Sequence, residues 1–101
     1  MANESKIQKE ILDFLKQHGF WAINIVGGVT QKRGTPDILA CVQGLFVALE
    51  VKDPTGNHPV TSAQQINLRK IRSAGGIGAV VTSVDEVRRI MESINDLPTR
   101  G

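Results

Sequence analysis

Three charged residues of this sequence, Asp37, Glu50 and Lys52, are of the types that hold a metal ion and act on phosphate. Asp37 opens one predicted strand, and Glu50 and Lys52 close the next, with a two-residue hairpin turn between the strands. A tight hairpin places the start of one strand beside the end of the other, so we expect these side chains at one sheet edge. Glu50 and Lys52 should share a face, because alternate residues of a strand point the same way. Two carboxylates there are the hard oxygen ligands that Mg²⁺ or Mn²⁺ prefers, and a lysine could stabilise a transferring phosphate or handle a proton of the attacking water.

A simpler explanation competes with this site. Cross-strand pairs of opposite charge on a solvated sheet surface account for most such neighbours. The context favours a site, because Glu50 and Lys52 end the otherwise apolar strand 45–52 instead of alternating along a solvated face. Charges at the end of a buried strand lose hydration unless they are paired or bind a metal.

The elements that must position these residues follow from apolar spacing, turn residues and capping boxes. We predict a helix over 3–18, strands over 20–26, 37–42 and 45–52, a helix over 61–74, a strand over 77–82 and a helix from 83 through 94. The order α-β-β-β-α-β-α predicts an α/β fold. It comprises a three-stranded meander, a crossover helix and a fourth strand, which form a mixed sheet with helices on its faces.

Length and composition exclude several classes of protein. The 101 residues predict one domain over 1–101, and 41% apolar and 22% charged residues are typical of a globular protein. No apolar run approaches the ~20 residues of a membrane span, and no signal-like segment begins the chain, so we expect a cytoplasmic protein with no membrane partner. The single cysteine, Cys41, excludes an internal disulfide. A net charge of +2 does not by itself indicate nucleic-acid binding.

Taken in order, these motifs resemble the virus-type replication–repair nuclease (VRR-NUC) domain of the PD-(D/E)XK nuclease superfamily. The resemblance covers nearly the whole chain, and it rests on the segments Gly34–Asp37, Glu50–Lys52, Thr61–Gln64 and Gly75–Gly76. It implies an αβββαβ restriction-endonuclease-like core and a phosphodiester hydrolase that acts on DNA with Mg²⁺ or Mn²⁺ and no small-molecule cofactor. The stand-alone phage and viral members look like dimeric Holliday-junction resolvases, which implies a branched or four-way DNA substrate and a homodimer.

The resemblance also assigns roles to individual residues. Asp37, Glu50 and the backbone carbonyl of Val51 would hold the metal. Lys52 would orient or deprotonate the attacking water, or stabilise the pentavalent phosphate. The products would carry 5′-phosphate and 3′-hydroxyl ends.

Residues on two helices complete the predicted site. Gln64 matches the family's glutamine, although a Gln at this position also satisfies its own helix N-terminus, and Gln65 is the neighbouring candidate. Glu4 and Gln8 lie on one stripe of the first helix, so both could reach the sheet edge, with Glu4 close to the metal and Gln8 in support. Glu4 could instead serve only the helix dipole.

DNA contact and assembly are less specified by the sequence. Lys32, Arg33, Arg69 and Lys70 are candidate contacts to the DNA backbone, which would make binding salt-dependent, although each could belong to an ordinary solvated face. Two symmetric cuts in a four-way junction need two sites, which favours a dimer, and the apolar residues of the final helix are a candidate interface.

Two other functions stay open at this level. A non-catalytic DNA-binding or partner-docking module could use the same fold. A restriction-type endonuclease is a third option, but this chain has no length left for a sequence-reading domain.

Overall fold

The computed structural model describes residues 4–25 and 32–95, and within them the helices and strands follow the predicted order. The elements are α1 Glu4–Gln17, β1 Trp21–Asn24, β2 Ile38–Val42, β3 Leu45–Val51, α2 Ser62–Ser73, β4 Ile77–Val81 and α3 Val84–Asn95. The predicted α/β class with a mixed sheet is therefore confirmed.

The sheet has the strand order β1-β2-β3-β4. The first three strands form the antiparallel meander, and β4 pairs in parallel with β3 after the crossover through α2. Gln43 and Gly44 form the predicted two-residue turn between β2 and β3. Both have positive φ, 51° and 84°, as a type I′ hairpin turn requires.

One face of the sheet forms the core with α1 and α3. Ile11 and Leu15 of α1 and Val87 of α3 are fully buried against the alternate residues of β2 and β3 that point to this side. The other apolar residues of α3, Ile90, Met91 and Ile94, also pack in or against this core. These side chains are therefore not free to form the subunit interface considered from the sequence.

On the opposite face, α2 packs against β3 and β4. Gly78 of β4 allows the close approach, since a Cβ there would lie 2.9 Å from the carbonyl oxygen of Leu68. On the same face, Trp21 of β1 and Phe46 at the start of β3 are exposed.

The strand ends differ slightly from prediction. β1 starts at Trp21 because the Phe20 N–H closes α1 by donating to the carbonyl of Leu15. β2 starts at Ile38 because Asp37 meets β3 through its side chain and not through a main-chain ladder. The predicted positions 3, 26 and the break at 27–28 lie outside the described residues.

The segment before β2 is anchored on α2. Gly34 adopts φ +81°, and a Cβ there would lie 2.7 Å from the backbone carbonyl carbon and oxygen of Ala63. Asn67 of α2 donates to the carbonyl of Arg33 across the same contact, at 3.2 Å. This contact places the chain immediately before Asp37 against the helix that carries Gln64.

Among residues 4–25 and 32–95, no helix combines the length and apolar character needed to cross a bilayer.

We expect Gly34→Ala to destabilise the protein more than Gly19→Ala. Both glycines have φ +81°, but nothing lies within 4 Å of a Cβ at Gly19. Gly19→Ala should therefore cost only the left-handed conformation, about 1 kcal/mol, whereas Gly34→Ala adds a clash with backbone worth about 1–3 kcal/mol more. Urea unfolding of both variants measures the difference, and equal losses would contradict the proposed contact between this segment and α2.

Candidate active site

The hairpin brings the two candidate carboxylates together at the end of β3. The pairing of Ile38 with Leu49 places Asp37 opposite Glu50. The Asp37 side chain accepts a hydrogen bond from the Val51 N–H at 2.8 Å, and its main-chain carbonyl accepts one from the Ile25 N–H at 2.7 Å. Asp37 is thus held on both sides by backbone groups, which fixes its carboxylate beside Glu50.

Glu50 is buried to an extent unusual for a carboxylate. Its residue exposure is 2%, and it is the one buried charged residue in the described part of the chain. Its Oε2 accepts a hydrogen bond from Gln64 Nε2 at 3.1 Å and lies 3.7 Å from Lys52 Nζ. Its Oε1 is buried with no hydrogen-bond donor among the described residues. An unsatisfied buried oxygen is costly, so this atom requires an explanation beyond stability.

The environment strongly favours the neutral form of Glu50. The pKa of this carboxyl is raised from 4.5 to about 8, first by burial and then by Asp37, which acts as hydrogen-bonding partner and as like charge. Lys52 lowers this pKa, and the charge of Glu4 raises it. Glu50 and Asp37 can therefore share a proton or a bound cation, because either would relieve the repulsion between them.

Gln64 makes both contacts that the sequence left open. Its Oε1 accepts a hydrogen bond from the Thr61 N–H at 2.9 Å, and Thr61 Oγ1 accepts one from the Gln64 N–H, which completes the capping box of α2. Its Nε2 is the group that donates to Glu50. The cap thereby orients the amide, so that its NH₂ group points at the carboxylate. Gln65 lies on the other flank of α2, where it lines a pocket with Val80.

Glu4 reaches the same corner from α1. Its carboxylate lies 3.4 Å from the Asp53 N–H, which donates to it, and 3.7 Å from His58 Nδ1. Its charge raises the pKa of Glu50, so it lies within electrostatic range of that buried carboxyl. Gln8, one turn further on, is half-buried, and its side chain makes no hydrogen bond to another described residue.

Asp53 and His58 were not found from the sequence. Both lie in the loop that follows β3, and the only signal was that this loop begins directly after Lys52. Asp53 Oδ1 accepts hydrogen bonds from the N–H and hydroxyl of Thr55, which lower the pKa of Asp53. The loop thus turns back towards α1 in a local turn held by its own side chains.

The donor atoms at this corner suit a hard divalent cation. Carboxylate oxygens of Glu50 and Asp37 are the ligands that Mg²⁺ or Mn²⁺ prefers, and the unpaired Glu50 Oε1 is available to one. Within residues 4–25 and 32–95, no three His, Cys, Asp or Glu side chains already form a metal-binding cluster. The side chain of Val51 is in the core and its N–H is taken by Asp37, so only its carbonyl could take part.

The candidate DNA contacts lie around α2, where Arg69 and Lys70 line one shallow pocket together. All four are exposed, but Lys32 and Lys70 line a groove that reaches Pro36, next to Asp37. Arg69 also lines a pocket with Val80 on the other flank of α2. The Arg33 carbonyl is bonded to Asn67, beside the same groove.

Comparisons with solved structures show the same fold. A VRR_NUC domain protein superposes with a TM-score of 0.73 at 18% identity, covering 90% of this chain and 86% of that one. A second VRR_NUC domain gives a TM-score of 0.72 at 23% identity, covering 91% and 97%. The Holliday junction resolvase Hjc of the archaeal hyperthermophile Archaeoglobus fulgidus gives 0.61 at 23% identity, covering 78% and 67%. The fold predicted from the resemblance to VRR-NUC domains is therefore confirmed.

Sequence comparison identifies the family. A search of curated proteins found no match. The model of the archaeal Holliday junction resolvase (Hjc) family, a nuclease family of the PD-(D/E)XK superfamily, matches residues 2–77, which is most of the chain. This protein therefore belongs to the Hjc family of Holliday junction resolvases.

Proposed function

We propose that residues 1–101 act as one metal-dependent endonuclease domain that cuts branched DNA, with a preference for four-way junctions, and that the chain works as a homodimer. The observation that carries the proposal is the buried Glu50 carboxylate, which has one oxygen without a donor and lies beside Asp37 and Lys52 in a member of a resolvase family. Such a carboxylate weakens the fold, so a function is the best reason to retain it.

Asp37, Glu50 and the Val51 carbonyl would hold Mg²⁺ or Mn²⁺, with Glu4 or Gln8 reaching it through water. The ion, when bound, would lower the pKa of a coordinated water and offset charge on the scissile phosphate. The hydrogen bond that the Glu4 carboxylate accepts from the Asp53 N–H, directly after Lys52, supports such an outer role.

Lys52 would act directly on the reacting groups. Its side chain is only 12% exposed, and its ammonium is held 3.7 Å from Glu50 Oε2. An ammonium in such a water-poor position interacts more strongly with developing negative charge than it would in bulk water. The Lys52 ammonium would orient the attacking water or donate to an oxygen of the pentavalent phosphate, whereas deprotonating that water would require the neutral amine. The cut would leave 5′-phosphate and 3′-hydroxyl ends.

The basic residues near α2 would position the DNA. Lys32 and Lys70 flank the groove that ends at Pro36, so a backbone lying there would lead to Asp37. Arg33 and Arg69 would add contacts at either side. Such contacts fix orientation without reading sequence, which suits an enzyme that recognises DNA structure.

Metal-dependent cleavage is the direct test. We expect labelled four-way junctions to be cut with Mg²⁺ or Mn²⁺, not with EDTA, and in preference to linear duplex. Asp37→Ala and Lys52→Ala should each lower the rate about 100-fold or more, since each removes a group that acts at the reacting phosphate. Lys16→Ala, which removes an exposed lysine at the far end of α1, is the matched control. Salt-sensitive junction binding without any cutting would instead support a non-catalytic DNA-binding module.

The pH dependence of stability should report the burial of Glu50. Between pH 4.5 and about 8 the folded protein keeps a proton that the unfolded chain has lost. In EDTA the free energy of unfolding should therefore fall as pH rises through this window, by at most about 1.4 kcal/mol per pH unit. Glu50→Gln should flatten this dependence and raise stability at pH 8.

Mg²⁺ at pH 8 should stabilise the wild type against heat and leave Glu50→Gln unchanged. The exposed Glu92→Gln on α3 is the control and should behave as the wild type. The same pH profile for all three proteins would contradict the role of Glu50.

Variants of the α2 cap can separate the two contacts of Gln64. Gln64→Glu keeps an acceptor for the Thr61 N–H but replaces the donor to Glu50 with a second carboxylate, so we expect an intact α2 cap and about 10- to 100-fold slower cleavage. Thr61→Ala should lose about 1 kcal/mol of stability and much less activity. The two variants are compared by thermal unfolding and by single-turnover cleavage. Full activity of Gln64→Glu would show that Gln64 serves the cap alone.

A further inference from the structure

The flank of α2 that faces β4 carries polar side chains that the proposed catalytic groups do not use. Gln65, Arg69 and Arg72 recur on this flank at positions i, i+4 and i+7, so they lie on one stripe of the helix. We call these three residues the α2 stripe. They line one shallow depression, and its apolar wall is formed by Val60, Leu68 and Val80.

The Arg72 guanidinium is fixed at the outer edge of the sheet. Its Nε donates to the Gly78 carbonyl at 2.7 Å. That carbonyl faces away from β3, because carbonyls alternate along a strand and the Val81 carbonyl accepts from the Lys52 N–H on the β3 side. The two NH₂ groups of Arg72 make no hydrogen bond to another described residue, so they remain open to a ligand.

The positive charge of this flank has no acidic counterpart nearby in the chain. Residues 54–84, which include α2 and β4, contain Arg69, Lys70 and Arg72 but no Asp or Glu. None of the ion pairs among residues 4–25 and 32–95 involves Arg69 or Arg72. The helix dipole favours basic residues in the last turn, which includes Arg72 but not Arg69. Like charges at this spacing repel, and an anionic ligand would offset that repulsion.

The α2 stripe begins beside the candidate active site. Val80 is the parallel-strand neighbour of Glu50, and adjacent strands lie about 4.8 Å apart. Gln64, which donates to Glu50, precedes Arg69 and Arg72 by about 8 and 12 Å along the helix axis. One strand of duplex DNA advances about 3.4 Å per nucleotide. DNA whose scissile phosphate lies at Glu50 would therefore bring another phosphate to the stripe within about four nucleotides.

We infer that the α2 stripe is a phosphate-binding subsite, which holds a backbone phosphate of the substrate DNA within about four nucleotides of the scissile phosphate. The inference rests on the proposed function, because it takes Glu50 as the point of cleavage. The stripe would position the DNA and take no part in the chemistry.

The donors of the stripe suit a phosphate. A guanidinium presents its N–H groups in a planar fork that matches two phosphate oxygens. The Gln65 amide can add a further donor, since its side chain makes no hydrogen bond to another described residue. Arg69 was a candidate DNA contact from the sequence, and the fold places Gln65 and Arg72 beside it.

Neutralising single phosphates tests the inference. Four-way junctions are prepared with one methylphosphonate linkage at each position across the branch point, and their affinities are measured in EDTA so that no strand is cut. We expect one neutral linkage within about four nucleotides of the cut to weaken wild-type binding about tenfold, the loss expected for one charge-assisted contact. The same linkage should leave the affinity of Arg69→Gln unchanged, because that variant has already lost the contact.

The salt dependence of binding gives a second readout. Arg69→Gln should lower the slope of log affinity against log salt concentration by about one. Arg89→Gln removes an exposed arginine from α3, on the opposite face of the sheet, and is the matched control. It should bind as the wild type does and stay sensitive to the neutral linkage.

Arg72→Gln should weaken binding as Arg69→Gln does, but it also loses the bond to Gly78. Thermal unfolding verifies that each variant is folded. Arg69 makes no such bond, so Arg69→Gln tests the inference even where Arg72→Gln is destabilised.

Three outcomes would overturn the inference. They are an Arg69→Gln variant with wild-type affinity and salt slope, one as sensitive as the wild type to every neutral linkage, and a sensitive phosphate far from the cut. None of the affinity measurements depends on cleavage. Lys52→Ala should be inactive and still show the phosphate that depends on Arg69, so a failure of the proposed function is distinguishable from a failure of this inference.

Discussion

The Glu50 carboxylate, buried at the end of a central strand, is the constraint around which this corner of the structure is arranged. A carboxylate in that position needs donors or positive charge, and the protein supplies only part of both. Gln64 and Lys52 satisfy Oε2, Oε1 is left without a donor, and Asp37 is held close enough to raise the pKa of Glu50. A bound cation or a proton would offset the excess negative charge of Glu50 and Asp37. The same buried carboxylate therefore both lowers the stability of the fold and can bind a cation.

The position of α2 determines how well this arrangement is held. Gly78 allows the helix to approach β4, and Gly34 allows the segment before Asp37 to rest on the first turn of the helix. Thr61 caps that turn and, in doing so, orients the Gln64 amide towards Glu50. Backbone packing, helix capping and the orientation of an active-site side chain are therefore coupled. A substitution at any one of these positions is therefore expected to alter the orientation of the Gln64 amide.

The two faces of the sheet are used differently. The face under α1 and α3 is filled with aliphatic side chains and carries the stability of the fold. The other face holds Glu50, which meets Gln64 of α2, and beyond α2 it exposes Trp21 and Phe46. In the described part of the chain, α2 is the helix that packs on this face. Among the described residues, the strip beyond α2 is therefore exposed.

The local sequence pattern was sufficient to predict the order and type of the helices and strands. It also predicted that Asp37 lies beside Glu50. The reason is that a two-residue hairpin dictates which strand positions are neighbours. Family resemblance pointed to Gln64, but only the tertiary structure showed that one amide serves both the cap and the carboxylate, because the two partners lie on different elements. Likewise, the approach of Glu4 to Asp53 and His58 depends on how α1 crosses the sheet edge.

Burial itself was also decided by packing. The apolar stripe of α3 and the exposed face at Phe46 are equally apolar in sequence, yet one lies in the core and the other faces solvent. Periodicity identifies an apolar face, but which layer covers it depends on contacts between elements that are distant along the chain.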